Sequence, residues 1–446
     1  MKVEPRDKRS PGQRGPACIR FALTGTPVTM SALICRQPLK SIYWLFELLA
    51  TALVRVPLWT LLSIPPSQRP RRSWTIKRVV WVNLVRHLWA AQVRTGPPIK
   101  DPDHLSIATG RGIYGFWLKI AQRLVTGSVE SGHDVYGVWV PPAQHLVTGE
   151  LKIWADEAHV SFVRIPGYWT HKKGVSLPLA AAPQKGEKVV YHLHGGAFIL
   201  QSANPLDPTA VIGKGLLKYS EAVLRVLSVE YRRSSHKPFE LASPFPAALL
   251  DAIAGYDYLI STVGFSPSDI VLVGDSAGGN LAVALIRYLI EHQGSPGVQL
   301  PEPPGHLVLL SPWADISKSH ETPGSSAVRN RTSDYILLAD YARTALLGPH
   351  KREFLETNHY ISPASLQATR VSFKGFPRTF IVAGCAEILY DQIVTLKDRM
   401  IKDLGEGKVR FYEAPGAIHD YLIFNWSEPE RSLTLKAISE WLAFVD

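Results

Sequence analysis

The segment Gly274-Asp275-Ser276-Ala277-Gly278 ends the apolar run Ile270-Val271-Leu272-Val273 and opens the helical pattern Asn280-Leu281-Ala282-Val283-Ala284-Leu285-Ile286. A serine at such a strand-to-helix turn has its hydroxyl turned outward, and small flanking residues let the backbone bend that tightly. The chemistry this predicts is nucleophilic attack on a carbonyl by Ser276.

Acyl transfer also needs donors for the oxyanion of the tetrahedral intermediate. About eighty residues upstream, the run Lys188-Val189-Val190-Tyr191-His192-Leu193 ends in His194-Gly195-Gly196-Ala197-Phe198. Glycines allow backbone N–H groups to come close to an oxygen, so Gly195 and Gly196 are the expected donors, with the N–H of Ala277 completing the hole. His192 and His194 share one strand face, as ligands in some metal sites do. No carboxylate or cysteine stands at a familiar third-ligand spacing, so neither metal nor cofactor is expected.

Serine is a weak nucleophile at neutral pH and requires a histidine base and a carboxylate that orients it. In a fold of this kind the acid follows the nucleophile and the histidine comes last. Of the later histidines, His292 ends a helix, His306 begins an apolar run, and His320, His350 and His359 lie in irregular sequence. His419 alone follows a strand-like run, Val409 to Ala414, beyond a Pro415-Gly416 turn. The acid has two candidates, Glu387 and Asp391, both just past the buried-strand pattern Thr379-Phe380-Ile381-Val382-Ala383.

With these residues in place the chain resembles the hormone-sensitive-lipase-like branch of the α/β-hydrolases, in particular its fungal esterases. The resemblance rests on His194-Gly195-Gly196, Gly274 to Gly279, Pro244-Phe245-Pro246-Ala247-Ala248-Leu249, Ser311-Pro312-Trp313 and His419-Asp420-Tyr421, and covers about residues 150 to 446. Members usually carry a third glycine where this chain has Ala197. They usually place an aspartate at the position of Glu387, with a second aspartate at that of Asp391. The resemblance implies an α/β-hydrolase fold, Glu387 as the acid, and a serine carboxylesterase acting on an apolar small-molecule ester. A dehydratase-like lyase and a ligand-binding receptor on the same scaffold are the alternatives, and retention of serine, acid and histidine argues against the receptor.

The elements that would hold this site follow from periodicity. Strand-like runs alternate with helical patterns from about residue 188 onward, including helices near 246–261, 282–291, 392–404 and 432–444. This is the pattern of a mostly parallel sheet with helices on both faces. The less regular stretches 85–160 and 313–370 are expected to form a helical cap; Trp89 and Trp117 lie in the first and are read as ordinary core aromatics. The expected organisation is a basic segment 1–40, a candidate membrane helix 41–64 and a hydrolase domain 65–446.

Charge separates these parts. Residues 1–100 carry 17 Lys and Arg against 3 Asp and Glu, so this segment exceeds the whole-chain net of +11 and the remainder is slightly acidic. No nucleic-acid motif accompanies the charge, and nucleic-acid binding is not expected. Residues 41–64 are apolar apart from Glu47 and Arg55, and as a helix would extend about 36 Å, enough for a hydrocarbon core of about 30 Å. Membrane association is therefore expected, spanning or lying on the surface, with the endoplasmic reticulum as candidate compartment and the cytoplasm as alternative. Three cysteines, Cys18, Cys35 and Cys385, form neither a disulfide framework nor a zinc pattern. Asn330-Arg331-Thr332 and Asn425-Trp426-Ser427 match the glycosylation pattern, and no oligomeric state can be read.

Overall fold

The computed structural model describes residues 34–35, 38–95, 135–337 and 340–444. Most of the basic segment, Cys18 and Trp117 lie outside these residues. Two helices come first: α1, Leu39–Leu62, with one wide turn at Thr51–Arg55, and α2, Ile76–Thr95. The apolar helix thus begins two residues before the expected 41–64 and stops before Pro65-Pro66.

Eight strands follow: β1 Val135–Val140, β2 Ile165–His171, β3 Lys188–Leu193, β4 Val223–Val229, β5 Ile270–Asp275, β6 His306–Leu310, β7 Arg378–Gly384 and β8 Val409–Ala414. They form one sheet in the order β1-β2-β4-β3-β5-β6-β7-β8. β2 pairs antiparallel with β1 and β4, and every later pairing is parallel.

The central strands β5 and β6 are almost wholly apolar and buried because both faces of the sheet are covered. Alternate residues feed opposite cores: Tyr191, Leu272, Leu309 and Ile381 point into one cluster, and Val190, Val273, Val308 and Val382 into the other. The first face is covered by α3, Gly149–Glu157, α5, Ala247–Asp257, and α6, Ala277–Glu291. The second face is covered by α4, Ala210–Tyr219, by the C-terminal α9, Glu430–Ala443, and by Val79, Val82 and Val85 of α2. Between β6 and β8 lie α7, Asp340–Leu347, and α8, Tyr390–Leu404.

This topology brings the carboxyl ends of β3, β5, β7 and β8 to one edge of the sheet, where open α/β sheets bind ligands.

Candidate active site

Ser276 follows β5 and precedes the first residue of α6, with φ 50° and ψ −116°. A non-glycine residue in that region stores roughly 1–3 kcal/mol of strain, so packing must hold it there. The Ser276 N–H donates to Leu310 O at 2.9 Å, and its carbonyl accepts from Trp313 N at 2.9 Å and Gly279 N at 3.1 Å. Gly278 has to be glycine, because a Cβ there would stand 1.9 Å from Leu193 O. That close approach seats α6 against the end of β3 and starts the helix at Ala277, several residues earlier than its sequence pattern shows.

The turn after β3 is tied to the same elbow by Asp275, whose Oδ1 lies 2.8 Å from His192 Nε2 and whose Oδ2 accepts from Gly195 N at 2.9 Å. The expectation for Gly195 is therefore corrected: its N–H is already taken by Asp275, and the residue does not line the pocket. Gly196, at φ 108°, and Ala197, at φ 55°, turn the chain so that both line the pocket with Ser276. Their N–H groups have no acceptor within the described residues. His194 stacks on Tyr231 with ring centroids 4.2 Å apart, and its Nδ1 meets Gly195 O at 2.7 Å. Both histidines of the His-x-His pair thus serve the turn itself.

Glu387 and His419 come from the loops after β7 and β8. The carboxyl of Glu387 is fully buried; its Oε2 lies 2.9 Å from His419 Nδ1, and its Oε1 accepts from Gly384 N at 2.7 Å and Ser311 Oγ at 3.3 Å. Asp391 lies elsewhere: in the first turn of α8 its Oδ2 accepts from Ser326 N at 2.7 Å, and its Oδ1 faces Arg329 at 3.5 Å. Of the two acid candidates, only Glu387 touches the imidazole. Asn330 belongs to this arrangement, since its buried side chain donates to Glu387 O at 2.8 Å. That burial withdraws the first glycosylation match from the surface.

Two further carboxyls surround His419. Asp334 accepts from His419 N at 3.2 Å and Tyr335 N at 2.8 Å through Oδ1, and from Ile388 N at 2.8 Å through Oδ2. It joins the backbone of the histidine loop to that of the acid loop. Burial pushes the Asp334 carboxyl up to about 6, against the pull of His419. Asp420, left-handed at φ 45°, turns its Oδ2 back to within 3.1 Å of His419 Nε2, while its Oδ1 is buried without a partner. Burial raises Asp420 to about 7 despite the neighbouring imidazole. Burial alone would lower the His419 pKa; Asp420 and Glu387, one at each ring nitrogen, outweigh it and hold it well above the usual histidine value. Among the described residues no hydrogen bond joins Ser276 Oγ to His419, and Nε2 faces Asp420.

The pocket over Ser276 is walled by Trp89 and Val93 of α2, Ile199, Trp313, Tyr335 and Leu389. Trp89, read from sequence as ordinary core, is a wall residue; Asp420 stood only among the marks of the resemblance, without a role, and Asp334 was not singled out. The adjacency of Asp420 to His419 was a usable signal; Trp89 and Asp334 are brought in by tertiary packing alone.

Residues 190–423 match the family model described as alpha/beta hydrolase fold. The chain belongs to that family. It is 29% identical over 297 residues to an esterase of Mycobacterium tuberculosis, covering 63% of this chain and 89% of the relative. It is 33% identical over 252 residues to an acetyl-hydrolase of Streptomyces hygroscopicus, covering 56% and 71%. Among solved structures, an esterase from the bacterial hormone-sensitive lipase family superposes with a TM-score of 0.52 at 21% identity, over 77% of this chain and 98% of that one. This member of the family is a carboxylic ester hydrolase.

Proposed function

We propose that this hydrolase cleaves short-chain esters of apolar alcohols through an acyl-enzyme on Ser276. The observation that carries the reading is the 2.9 Å contact between Glu387 Oε2 and His419 Nδ1 beside a strained serine in the same pocket. Glu387 fixes the tautomer with the proton on Nδ1, so that Nε2 turns from Asp420 to accept the Ser276 proton as Oγ attacks the ester carbonyl. The oxyanion is held by the N–H groups of Gly196 and Ala197 and by that of Ala277 at the positive end of α6. His419 then protonates the leaving alcohol, and water, deprotonated by the same imidazole, releases the acid.

The aromatic and aliphatic walls favour an apolar substrate, and the named activity of the Streptomyces relative favours a short acyl group. Association with a membrane through α1 is part of the reading, because α1 is long and apolar enough for it. A fluorophosphonate probe should label wild type and not Ser276→Ala, and p-nitrophenyl esters should lose kcat/KM as the acyl chain lengthens. Labelling that persists in Ser276→Ala would overturn the proposal.

A further inference from the structure

α1 has its faces reversed relative to a helix packed in a water-soluble protein. Its outward side shows Ile42, Leu45, Phe46, Leu49, Leu53 and Leu61, between 53% and 73% exposed. Its inward side is polar: Glu47 and Thr51 are buried, and Arg55 reaches back to Glu47 at 2.8 Å and to Thr51 Oγ1 at 3.0 Å. The partner of this polar side is α2, through His87 Nε2 to Glu47 Oε2 at 2.7 Å and Trp44 Nε1 to Thr95 Oγ1 at 3.2 Å. The two charges that would oppose insertion of a lone helix are thus paired with each other and with α2.

α2 is fixed to the catalytic body. Val79, Val82 and Val85 enter the core, Arg78 pairs with Glu430 at 3.0 Å, and Arg86 donates to Asp334 O at 2.7 Å. A helix with Lys77, Arg78, Arg86, His87 and Arg94 has no place in hydrocarbon, where each such charge is expensive. α1 cannot cross a bilayer while remaining docked on α2 along its length.

We propose that α1 lies in the plane of one membrane leaflet, its apolar face in the acyl layer and its polar face on α2, so that apolar esters reach Ser276 from the lipid. The proposal rests on the membrane association put forward above and replaces spanning by in-plane insertion. A helix with a large apolar face and basic surroundings binds anionic interfaces in this way. Here Arg72 and Lys77, which follow α1 in the chain, are exposed, and the sequence of residues 1–100 carries a balance of +14. The turns of α2 that receive α1 also carry Trp89 and Val93 into the pocket wall, so the lipid-facing helix sits beside the substrate entrance.

The test uses the full chain with vesicles of phosphatidylcholine containing phosphatidylserine. Wild type should float with the vesicles. Leu45→Glu/Leu49→Glu/Leu53→Glu should lower vesicle affinity by roughly a hundredfold or more, because three side chains leave hydrocarbon. It should keep kcat/KM on a water-soluble p-nitrophenyl ester and lose at least about tenfold on an ester dissolved in the vesicles. Topology is read with an impermeant maleimide on sealed membranes, using Ser41→Cys or Ser67→Cys with Cys18, Cys35 and Cys385 changed to serine. Labelling of both sites from the same side supports the proposal. Labelling from opposite sides overturns in-plane insertion and leaves membrane association standing. Failure of wild type to float overturns both, and flotation of the triple variant like wild type removes the assigned face.

Discussion

Replacing Asp420 by asparagine should move the acid limb of the kcat/KM profile to lower pH. The limb reports loss of the proton from His419, which must be neutral to accept the Ser276 proton. An ionised Asp420, 3.1 Å from Nε2, stabilises imidazolium and so holds that proton to higher pH. A full charge at this distance would contribute about 5 kcal/mol at an effective dielectric near 20, equivalent to about four pKa units as an upper bound. Only part of this is expressed, because Asp420 itself titrates at about 7 and shares the proton with the imidazole. Glu387 remains at Nδ1, and Asp275 and Asp334 still bear on the site. The expected shift is therefore downward and smaller than that bound.

The assay is hydrolysis of a water-soluble p-nitrophenyl ester at subsaturating concentration across the acid to neutral range. Asparagine can itself donate to Nε2 and depress kcat, so Asp420→Ala is measured beside it; the limb should move in both. Thermal melting at each pH confirms that the variants are folded. An acid limb within about 0.3 units of wild type in both variants would refute the argument that Asp420 sets the His419 proton affinity.

Ser276→Ala and His419→Ala should each reduce turnover by roughly four to six orders of magnitude because they act as one unit; retention of more than about a tenth in either removes the mechanism. Glu387→Gln should lower kcat by about 10⁴, whereas Asp391→Asn, whose carboxylate only anchors Ser326 and Arg329, should stay within about fivefold; the reverse ranking would move the acid to Asp391. Burial raises Asp207 to about 7, so the folded chain keeps a proton that the unfolded chain releases near pH 4. This contribution to stability is complete below the unfolded value and lost as pH rises through about 7, at most about 4 kcal/mol. Asp207→Asn, which keeps the Oδ1 bonds from Thr209 N and Oγ1, should gain melting temperature over wild type progressively from pH 5 to 8; parallel profiles would refute this.

β5 and β7 were legible because a parallel strand covered on both faces is a largely apolar run, and β3 and the edge strand β8, which keeps exposed Arg410 and Glu413, were marked by the chemistry-bearing loops that follow them. Ser276 and His419 could be named from chain order and strand ends, which left Glu387 and Asp391 open as the acid until the family resemblance pointed to Glu387. The start of α6 was misjudged because Gly278-Gly279-Asn280 has poor helix propensity, and the helix there is stabilised by close approach to β3. Gly195 was assigned as a donor because composition cannot reveal that Asp275 takes its N–H. Asn330 matched the glycosylation pattern, although its buried side chain donates to the carbonyls of Cys385 and Glu387.

Residues before the family match brace the loops that carry Glu387 and His419. Arg71 donates to Cys385 O at 3.0 Å, Trp74 Nε1 to Gly416 O at 3.0 Å, and Arg86 to Thr332 O at 2.6 Å and Asp334 O at 2.7 Å. The acceptors are backbone carbonyls of the acid loop, the histidine loop and the Asp334 segment that joins them. Loops at strand ends lack a ladder of their own, and a buried carbonyl left without a donor is costly, so these side chains complete the positioning that the sheet begins. The placement of Glu387 and His419 therefore leans on the segment from Arg71 to Val93, which also packs against α1 and supplies part of the pocket wall. The apolar helix α1, part of the pocket wall and a brace on the loops of Glu387 and His419 are thereby linked through one continuous stretch of chain.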